Sequence, residues 1–314
     1  MAPFRALTHP GGMTGDNLVL AAVDGSDHSL KALDWALQEA RFRGAEVLAV
    51  HVGPGDTVAP ATVHPASRTP GFDRDLVRRR ISEHIDGRVD LPALSYTAVN
   101  GPVAGTLAEL AQNADLMVLG SRGLGGFRSL LLGSVGRKSA AHAPCPVVIV
   151  PDDDRAAEPA PPGGHGLVVL GMEPEETGDE VVEFAFAEAR SRGARLQTVS
   201  TFLVPLTALA VVGELAVVDV NDPEAPSAVS ELSALQTARL APFRARYPDV
   251  AVQPVVRAVD PAGQLVDASV NADLVVVGRH RRRLRADAMM MGSVTGAVVA
   301  HAHGPIAVIP PRDA

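Results

Sequence analysis

The chain contains two copies of one sequence unit, and this duplication constrains its fold more than any other feature. Three segments recur in the same order, with most of their residues unchanged. They are EARFRGA (39–45) and EARSRGA (188–194), NADLMVLG (113–120) and NADLVVVG (271–278), and HAPCPVVIVP (142–151) and HAHGPIAVIP (301–310). The length of 314 residues is about twice the ~150 residues usual for one domain. We therefore predict two tandem domains of the same fold.

Within each copy, short runs rich in Val, Leu and Ile alternate with longer segments of helical character. The first copy has predicted strands at 17–23, 46–52, 94–99, 115–120 and 146–150 and predicted helices at 27–43, 73–86, 103–113 and 134–142. The second copy has predicted strands at 167–172, 195–201, 250–256, 273–278 and 305–309. Such alternation favours parallel sheets, and uniformly apolar strands favour burial on both faces. We predict an α/β fold of two tandem doubly wound domains, each a five-stranded parallel sheet with helices on both faces.

Composition shifts give the expected boundaries. Residues 1–16 lack a periodic pattern and are expected to be a flexible N-terminus. The two domains are expected at 17–151 and 167–311. The segment DDDRAAEPAPPGGHG (152–166) between them is rich in Pro, Gly and acid, which is typical of an exposed linker.

Charge and cysteine content restrict the partners and the compartment. A formal net charge of -8 argues against nucleic acid, because phosphate binding needs a basic surface. The single cysteine, Cys145, allows no intramolecular disulfide and favours a reducing compartment. The long apolar run Phe202–Val218 is interrupted by Pro205, Gly213 and Glu214, which is unlike a membrane span. We expect a soluble, cytoplasmic protein that binds neither nucleic acid nor a membrane.

A glycine-rich loop, GSRGLGGFRSLLLGSV (120–135), follows the fourth strand of the first copy. Ligands of such sheets bind at the carboxyl ends of the strands. Gly120, Gly123, Gly125 and Gly126 are expected to permit positive-φ turns and close approach of an anion. Ser134 is expected to cap the next helix, whose first amides favour phosphate. The loop contains neither a Walker A motif nor a dinucleotide fingerprint, so these two classes of nucleotide site are excluded. The alternative to an anion site is a turn with a purely structural role.

The spacing of this loop carries a resemblance to a known family. Two residues separate Gly120 from Gly123, and nine separate Gly123 from Gly133-Ser134. This resembles the ATP-binding signature of the universal stress protein family. VDGS (23–26), AVHV (49–52) and HAPCPVVIV also match, and the resemblance extends over both halves of the chain.

The resemblance implies that the first copy binds ATP, together with Mg, through residues at the ends of its strands. Near the base and ribose it implies Ala22, Asp24, Val52, Leu119 and Gly120; near the phosphates it implies Gly123, Gly133, Ser134 and Val135. To these we add Arg122 and Arg128, whose charges are expected to offset the triphosphate. For Asp24 the alternative role is a cap at the entry of the first helix.

The second copy departs from the signature. In GRHRRRLRADAMMMGSV (278–294), Arg281 replaces the second glycine, and one extra residue precedes Gly292-Ser293. Glu173 replaces Asp24. We predict weak or absent ATP binding here, while the basic run Arg279–Arg285 leaves binding of another anion open.

Three functions remain for the chain. The leading prediction is a nucleotide-responsive regulatory protein of the stress response. The alternatives are a slow ATPase or an enzyme that phosphorylates itself at Ser134, and a nucleotide-free interaction module. We predict no group of catalytic residues and no group of residues that would bind a metal ion. Pairing is expected, either as an intrachain pseudo-dimer or by self-association, and Phe202–Val220 is expected to be buried against the domain or a partner.

Overall fold

The computed structural model describes residues 5–6, 17–53, 74–123, 132–152, 164–202, 226–279 and 291–312. It divides into two compact units, Met1–Asp154 and Arg155–Ala314, called here the N-terminal unit and the C-terminal unit. Each is built around a parallel sheet. The predicted linker residues 153–163, the glycine-loop residues 124–131 and most of Phe202–Val220 lie outside the described residues.

The N-terminal unit alternates strands and helices along the chain. Its strands are β1 (Arg5–Ala6), β2 (Leu18–Ala22), β3 (Glu46–Gly53), β4 (Leu94–Asn100), β5 (Leu116–Gly120) and β6 (Val147–Val150). Its described helices are α1 (Asp27–Arg43), α2 (Arg74–Ile85), α3 (Val103–Leu110), which continues into a 3₁₀ turn at Ala111–Asn113, and α4 (Ser134–His142). The strand order is β1-β4-β3-β2-β5-β6, and each of these neighbouring pairs is parallel.

The C-terminal unit repeats this plan. Its strands are β7 (Leu167–Gly171), β8 (Arg195–Thr201), β9 (Val252–Arg257), β10 (Leu274–Gly278) and β11 (Ile306–Ile309). Its described helices are α5 (Asp179–Arg192), α6 (Pro226–Arg246), α7 (Pro261–Ala268), which continues into a 3₁₀ turn at Ser269–Asn271, and α8 (Ser293–His301). The order within the unit is β11-β10-β7-β8-β9, again parallel throughout.

The prediction of two parallel α/β domains is therefore confirmed, with one difference at the N-terminus. Within the segment 1–16 that was expected to be flexible, Arg5–Ala6 pair with Ser95 and Tyr96 of β4 and make a sixth strand, while the other residues of that segment lie outside the described residues. The unpaired backbone groups of an edge strand readily accept such an addition. Hydrophobic periodicity could not predict it, because two residues are too few to show a period.

The repeated EARxRGA segment ends the first helix of each unit. Glu39 and Glu188 are buried and form ion pairs with the arginine one helical turn later, Arg43 and Arg192. The glycine that follows, Gly44 or Gly193, caps the helix with a φ of 61°, a left-handed conformation that suits glycine. Each copy of the segment thus supplies a buried glutamate, the arginine that pairs with it and the glycine that ends the helix.

The repeated NADL segment ties the central strands together. The Asp115 carboxylate accepts a 2.7 Å hydrogen bond from the amide of Leu18, where β2 begins. The Asp273 carboxylate accepts from the amide of Leu167, where β7 begins, at 3.0 Å. Each aspartate thus joins the starts of two adjacent strands.

Aliphatic side chains form most of the core of each unit, and the C-terminal unit adds the buried, stacked rings of Phe186 and Phe243. The strands β2, β5 and β6, and their counterparts β7, β10 and β11, are almost wholly buried. Cys145 is buried just before β6, as a small apolar residue would be. In the ranges given above, every helix is too short or too polar to cross a bilayer.

Candidate functional site

The site predicted from the glycine loop lies where the N-terminal sheet changes direction. From β2 the chain proceeds through β3 to β4 on one side, whereas β5 lies on the other side of β2 and leads to β6. The loops after β2 and β5 therefore leave adjacent strand ends toward opposite faces. A crevice forms at such a switch point, and doubly wound sheets bind their ligands there.

Asp24, in the loop after β2, is held by hydrogen bonds to the start of α1. Its Oδ1 accepts from the amide of Ser26 at 2.9 Å and from the hydroxyl of Ser26 at 2.6 Å. The Ser26 hydroxyl in turn accepts from the amide of Ser29 at 3.2 Å and is the N-cap of α1. The alternative reading of Asp24 as the helix cap is therefore wrong: Ser26 caps the helix, and Asp24 orients Ser26.

The other carboxylate oxygen of Asp24 lies against Gly123 in the loop after β5. A Cβ placed on Gly123 would overlap with Asp24 Oδ2, a contact that real side chains do not make. Gly120 is similarly confined, since a Cβ there would lie 3.0 Å from the carbonyl oxygen of His28 in α1. The two loops of the switch point thus touch through Asp24 and Gly123, whereas Gly120 makes room for the start of α1.

This geometry corrects the reason given for the glycines. Positive φ angles were expected at Gly120 and Gly123, but neither has one. Gly25, in the VDGS segment, does have a left-handed φ of 83°. Close approach rather than backbone conformation therefore requires glycine at positions 120 and 123, whereas conformation requires it at position 25. Gly125 and Gly126 lie outside the described residues.

Gly133 and Ser134 begin α4, in a way that differs from the prediction. Gly133 is the N-cap and no side chain caps the helix, so Ser134 is its exposed first residue and not its cap. The Gly133 amide donates to the carbonyl of Ser121 at 2.8 Å and in this conformation is unavailable to a phosphate. By helical geometry the amides of Ser134 and Val135 lack an intrahelical acceptor and remain suited to an anion.

Arg122 is the second predicted contact that the structure places differently. Its Nε lies 2.7 Å from Asp152 Oδ2, and the two side chains are 10% and 0% exposed. The guanidinium charge is therefore already compensated by a buried carboxylate. A contact between Arg122 and a triphosphate would require this ion pair to be shared or broken. Arg128 lies outside the described residues.

The remaining predicted residues line the strand ends beside Asp24. Ala22 ends β2 and Val52 lies near the end of β3, and both are partly buried. Leu119 of β5 is buried, whereas Val135 in the first turn of α4 is partly buried. All four belong to elements that border the switch point, so the fold gathers residues that are far apart in sequence.

Sequence reasoning missed the role of His51. Its Nδ1 lies 2.9 Å from the carbonyl oxygen of Val23, and its ring is buried. In the C-terminal unit, the Ser200 hydroxyl donates to the carbonyl of Met172 at 2.9 Å over the same separation of 28 residues. Both contacts fix the residue just before the acidic position, Asp24 or Glu173. The equal spacing in the two repeats was the available signal.

The fold and this site define a duplicated, doubly wound α/β protein with a glycine-lined crevice in its N-terminal half. The chain belongs to the universal stress protein family, whose model matches residues 17–151 and 167–310. It is 34% identical to the Mycobacterium tuberculosis universal stress protein Rv2005c, over 92% of this chain and 96% of that protein. It is 31% identical to universal stress protein Rv1996 of the same organism, over 92% and 94% respectively.

A solved structure supports the fold at lower sequence identity. A universal stress protein from Archaeoglobus fulgidus DSM 4304 superposes with a TM-score of 0.60 at 16% identity, covering 95% of this chain and 97% of that one. A putative universal stress protein from Pseudomonas aeruginosa UCBPP-PA14 gives a TM-score of 0.56 at 12% identity. The likeness of fold thus extends over nearly the full length of these chains.

Proposed function

We propose that the N-terminal unit binds ATP, with magnesium on the phosphates, and that the protein acts as a nucleotide-responsive regulator. The observation that carries the proposal is the contact of the Asp24 carboxylate with Gly123 across the switch point. The contact places the Asp24 carboxylate, which can accept hydrogen bonds from the ribose or the base, next to the loop that leads from β5 to the start of α4.

The base and ribose would bind at the strand ends. Ala22 and Val52 offer partly buried apolar surface on either side of the loop after β2. The Asp24 carboxylate lies at this edge of the sheet, with Oδ1 accepting from Ser26 and Oδ2 toward Gly123, and we assign to it the hydrogen bond from a ribose hydroxyl or a base amino group. Leu119 and Gly120 complete this part of the site from β5.

The phosphates would bind toward α4. The free amides in the first turn of a helix and its positive dipole end favour anions, and Ser134 adds an exposed hydroxyl there. Electrostatics alone do not select ATP over another nucleotide, so the choice of ATP rests on the resemblance of the glycine spacing.

Regulation follows from binding. A ligand that binds only the folded state stabilises that state according to its concentration relative to its Kd. Binding of ATP would then change association with a partner or with a second copy. Cytoplasmic location and pairing of the units or chains stay predictions.

The test is analysis of the purified protein by mass spectrometry for co-purified nucleotide, followed by incubation with γ-labelled ATP. We expect ATP in the purified protein and little loss or transfer of label. Rapid release of label would favour an ATPase, and label on Ser134 would favour the self-phosphorylating alternative. A protein that neither retains nor binds any nucleotide would leave only the interaction module.

A further inference from the structure

The C-terminal unit differs from the N-terminal unit in the connection that leads to its first helix. The helices α1 and α5 end at equivalent residues of the repeat, Arg43 and Arg192, yet α5 has 14 residues and α1 has 17. The missing turn is replaced by a longer connection, 172–178 in place of 23–26. The first turn of the helix is therefore absent beside the carboxyl end of the C-terminal sheet.

A cavity of about 540 Å³ occupies that end of the C-terminal sheet. It lies at the ends of β7 and β10, the switch point of this unit, where doubly wound sheets bind ligands. Its volume is within the range of small-molecule sites. Much of its lining is apolar and comes from Met172, Val181, Val199, Leu265 and Val277. The cavity therefore suits a ligand with an apolar body.

Three carboxylates line the same cavity: Glu173, Glu176 and Glu180. In the portion of the chain that the structure describes, Glu173 and Glu180 have no cationic side chain paired with them. Arg279 and Arg312 also line the cavity, and each is engaged in an interaction. Among the described residues, Glu173 and Glu180 thus present carboxylates to the cavity with which no cationic side chain is paired.

The environment of Glu173 agrees with this charge distribution. Partial burial raises the pKa of its carboxyl, and the nearby Glu176 and Glu175 raise that pKa further. A positive charge placed in the cavity would relieve both effects, because it favours the ionised carboxylate. A polyphosphate would aggravate them.

We propose that this cavity binds a small organic cation, an amine or guanidine on an apolar body, and that it does not bind a nucleoside triphosphate. The apolar floor contacts the body of the ligand, and Glu173 and Glu180 face its charge. The site is independent of ATP binding in the N-terminal unit. Duplication has thus given the chain two switch-point sites that select opposite charges.

The experiment compares pairs of probes that share a skeleton and differ in charge. Tryptamine and phenethylamine are titrated calorimetrically against indole-3-propionate and 3-phenylpropionate, with and without saturating Mg-ATP. We expect one amine per chain with a Kd at least tenfold lower than that of its acid partner, and no competition from ATP.

Two variants separate the cavity from general surface charge. Glu173→Gln combined with Glu180→Gln should weaken amine binding at least tenfold. Glu231→Gln, on the exposed face of α6, should leave it unchanged. Binding of neither amine, preference for the acids, competition by Mg-ATP, or equal binding by the double variant would each overturn the proposal. Preference for the acids would instead assign an anion to this unit.

Discussion

The carboxylate of Asp24 lies directly against the backbone of Gly123, so the loop after β2 and the loop after β5 meet without room for a side chain between them. This contact accounts for an aspartate in one loop and a glycine in the other, nearly one hundred residues apart in the sequence. It also joins the segment that would bind the base to the segment that would bind the phosphates.

Gly123→Ala is the sharpest test of that contact. The added methyl group would overlap with the Asp24 carboxylate and displace one loop from the other. We expect ATP affinity to fall at least tenfold, about 1.4 kcal/mol, as measured by fluorescence titration with a labelled ATP analogue. Gly105→Ala, in α3 and outside the proposed site, is the matched control, because a Cβ there would meet its nearest atom at an ordinary 3.7 Å. Equal affinities for the two variants would count against the contact.

Removal of the Asp24 carboxylate should also affect folding. Asp24→Ala leaves the amide of Ser26 without its acceptor and frees the hydroxyl that caps α1. We expect a loss of about 1–2 kcal/mol in the free energy of unfolding by urea. Asp24→Asn keeps an accepting oxygen and should lose less than half as much. If both variants were as stable as the wild type, the role of Asp24 in the entry to α1 would be wrong.

The ion pair of Arg122 with Asp152 should behave as a buried one. Asp152→Ala removes the buried carboxylate that pairs with the largely buried guanidinium of Arg122, and we expect a loss of about 3–5 kcal/mol in the free energy of unfolding. The double variant Arg122→Met, Asp152→Leu should recover most of this. Arg80 and Asp27 form an ion pair of the same 2.7 Å length on the surface, so Arg80→Ala should cost less than about 1 kcal/mol. Similar losses for Asp152→Ala and Arg80→Ala would show that burial does not matter here.

Stability should depend on pH through Glu173. Its pKa in the folded protein lies above the ordinary 4.5, so the protonated form is favoured by folding. The contribution of Glu173 to stability is complete below that ordinary value and is lost as the pH rises through the raised pKa. We therefore expect Glu173→Gln to unfold at a higher urea concentration than the wild type at about pH 7, with the difference vanishing below about pH 4. A difference of the same size at both pH values would contradict this.

The order of strands and helices could be predicted because the repeats and the apolar runs are local in sequence. The same holds for the residues gathered at the switch point, since parallel strands bring their carboxyl ends to one edge of the sheet. His51 was missed because its hydrogen bond joins β3 to Val23, the residue just after β2, and no local pattern marks a bond between residues so far apart in the sequence.

Other misjudged features depend on contacts that spacing does not reveal. The glycines at 120 and 123 were explained by positive φ, whereas the atoms of His28 and Asp24 are what exclude a side chain. Arg122 was assigned to phosphate because it lies in the loop, yet Asp152, just beyond β6, pairs with it. The acidic cavity of the C-terminal unit was likewise hidden, since it depends on where α5 begins.

Calorimetric titration of the wild type and of Gly123→Ala with Mg-ATP tests the central claim most directly. Our account predicts one ATP per chain for the wild type and an affinity at least tenfold lower for the variant. Two ATP molecules per chain, no binding to the wild type, or unchanged affinity in Gly123→Ala would contradict it.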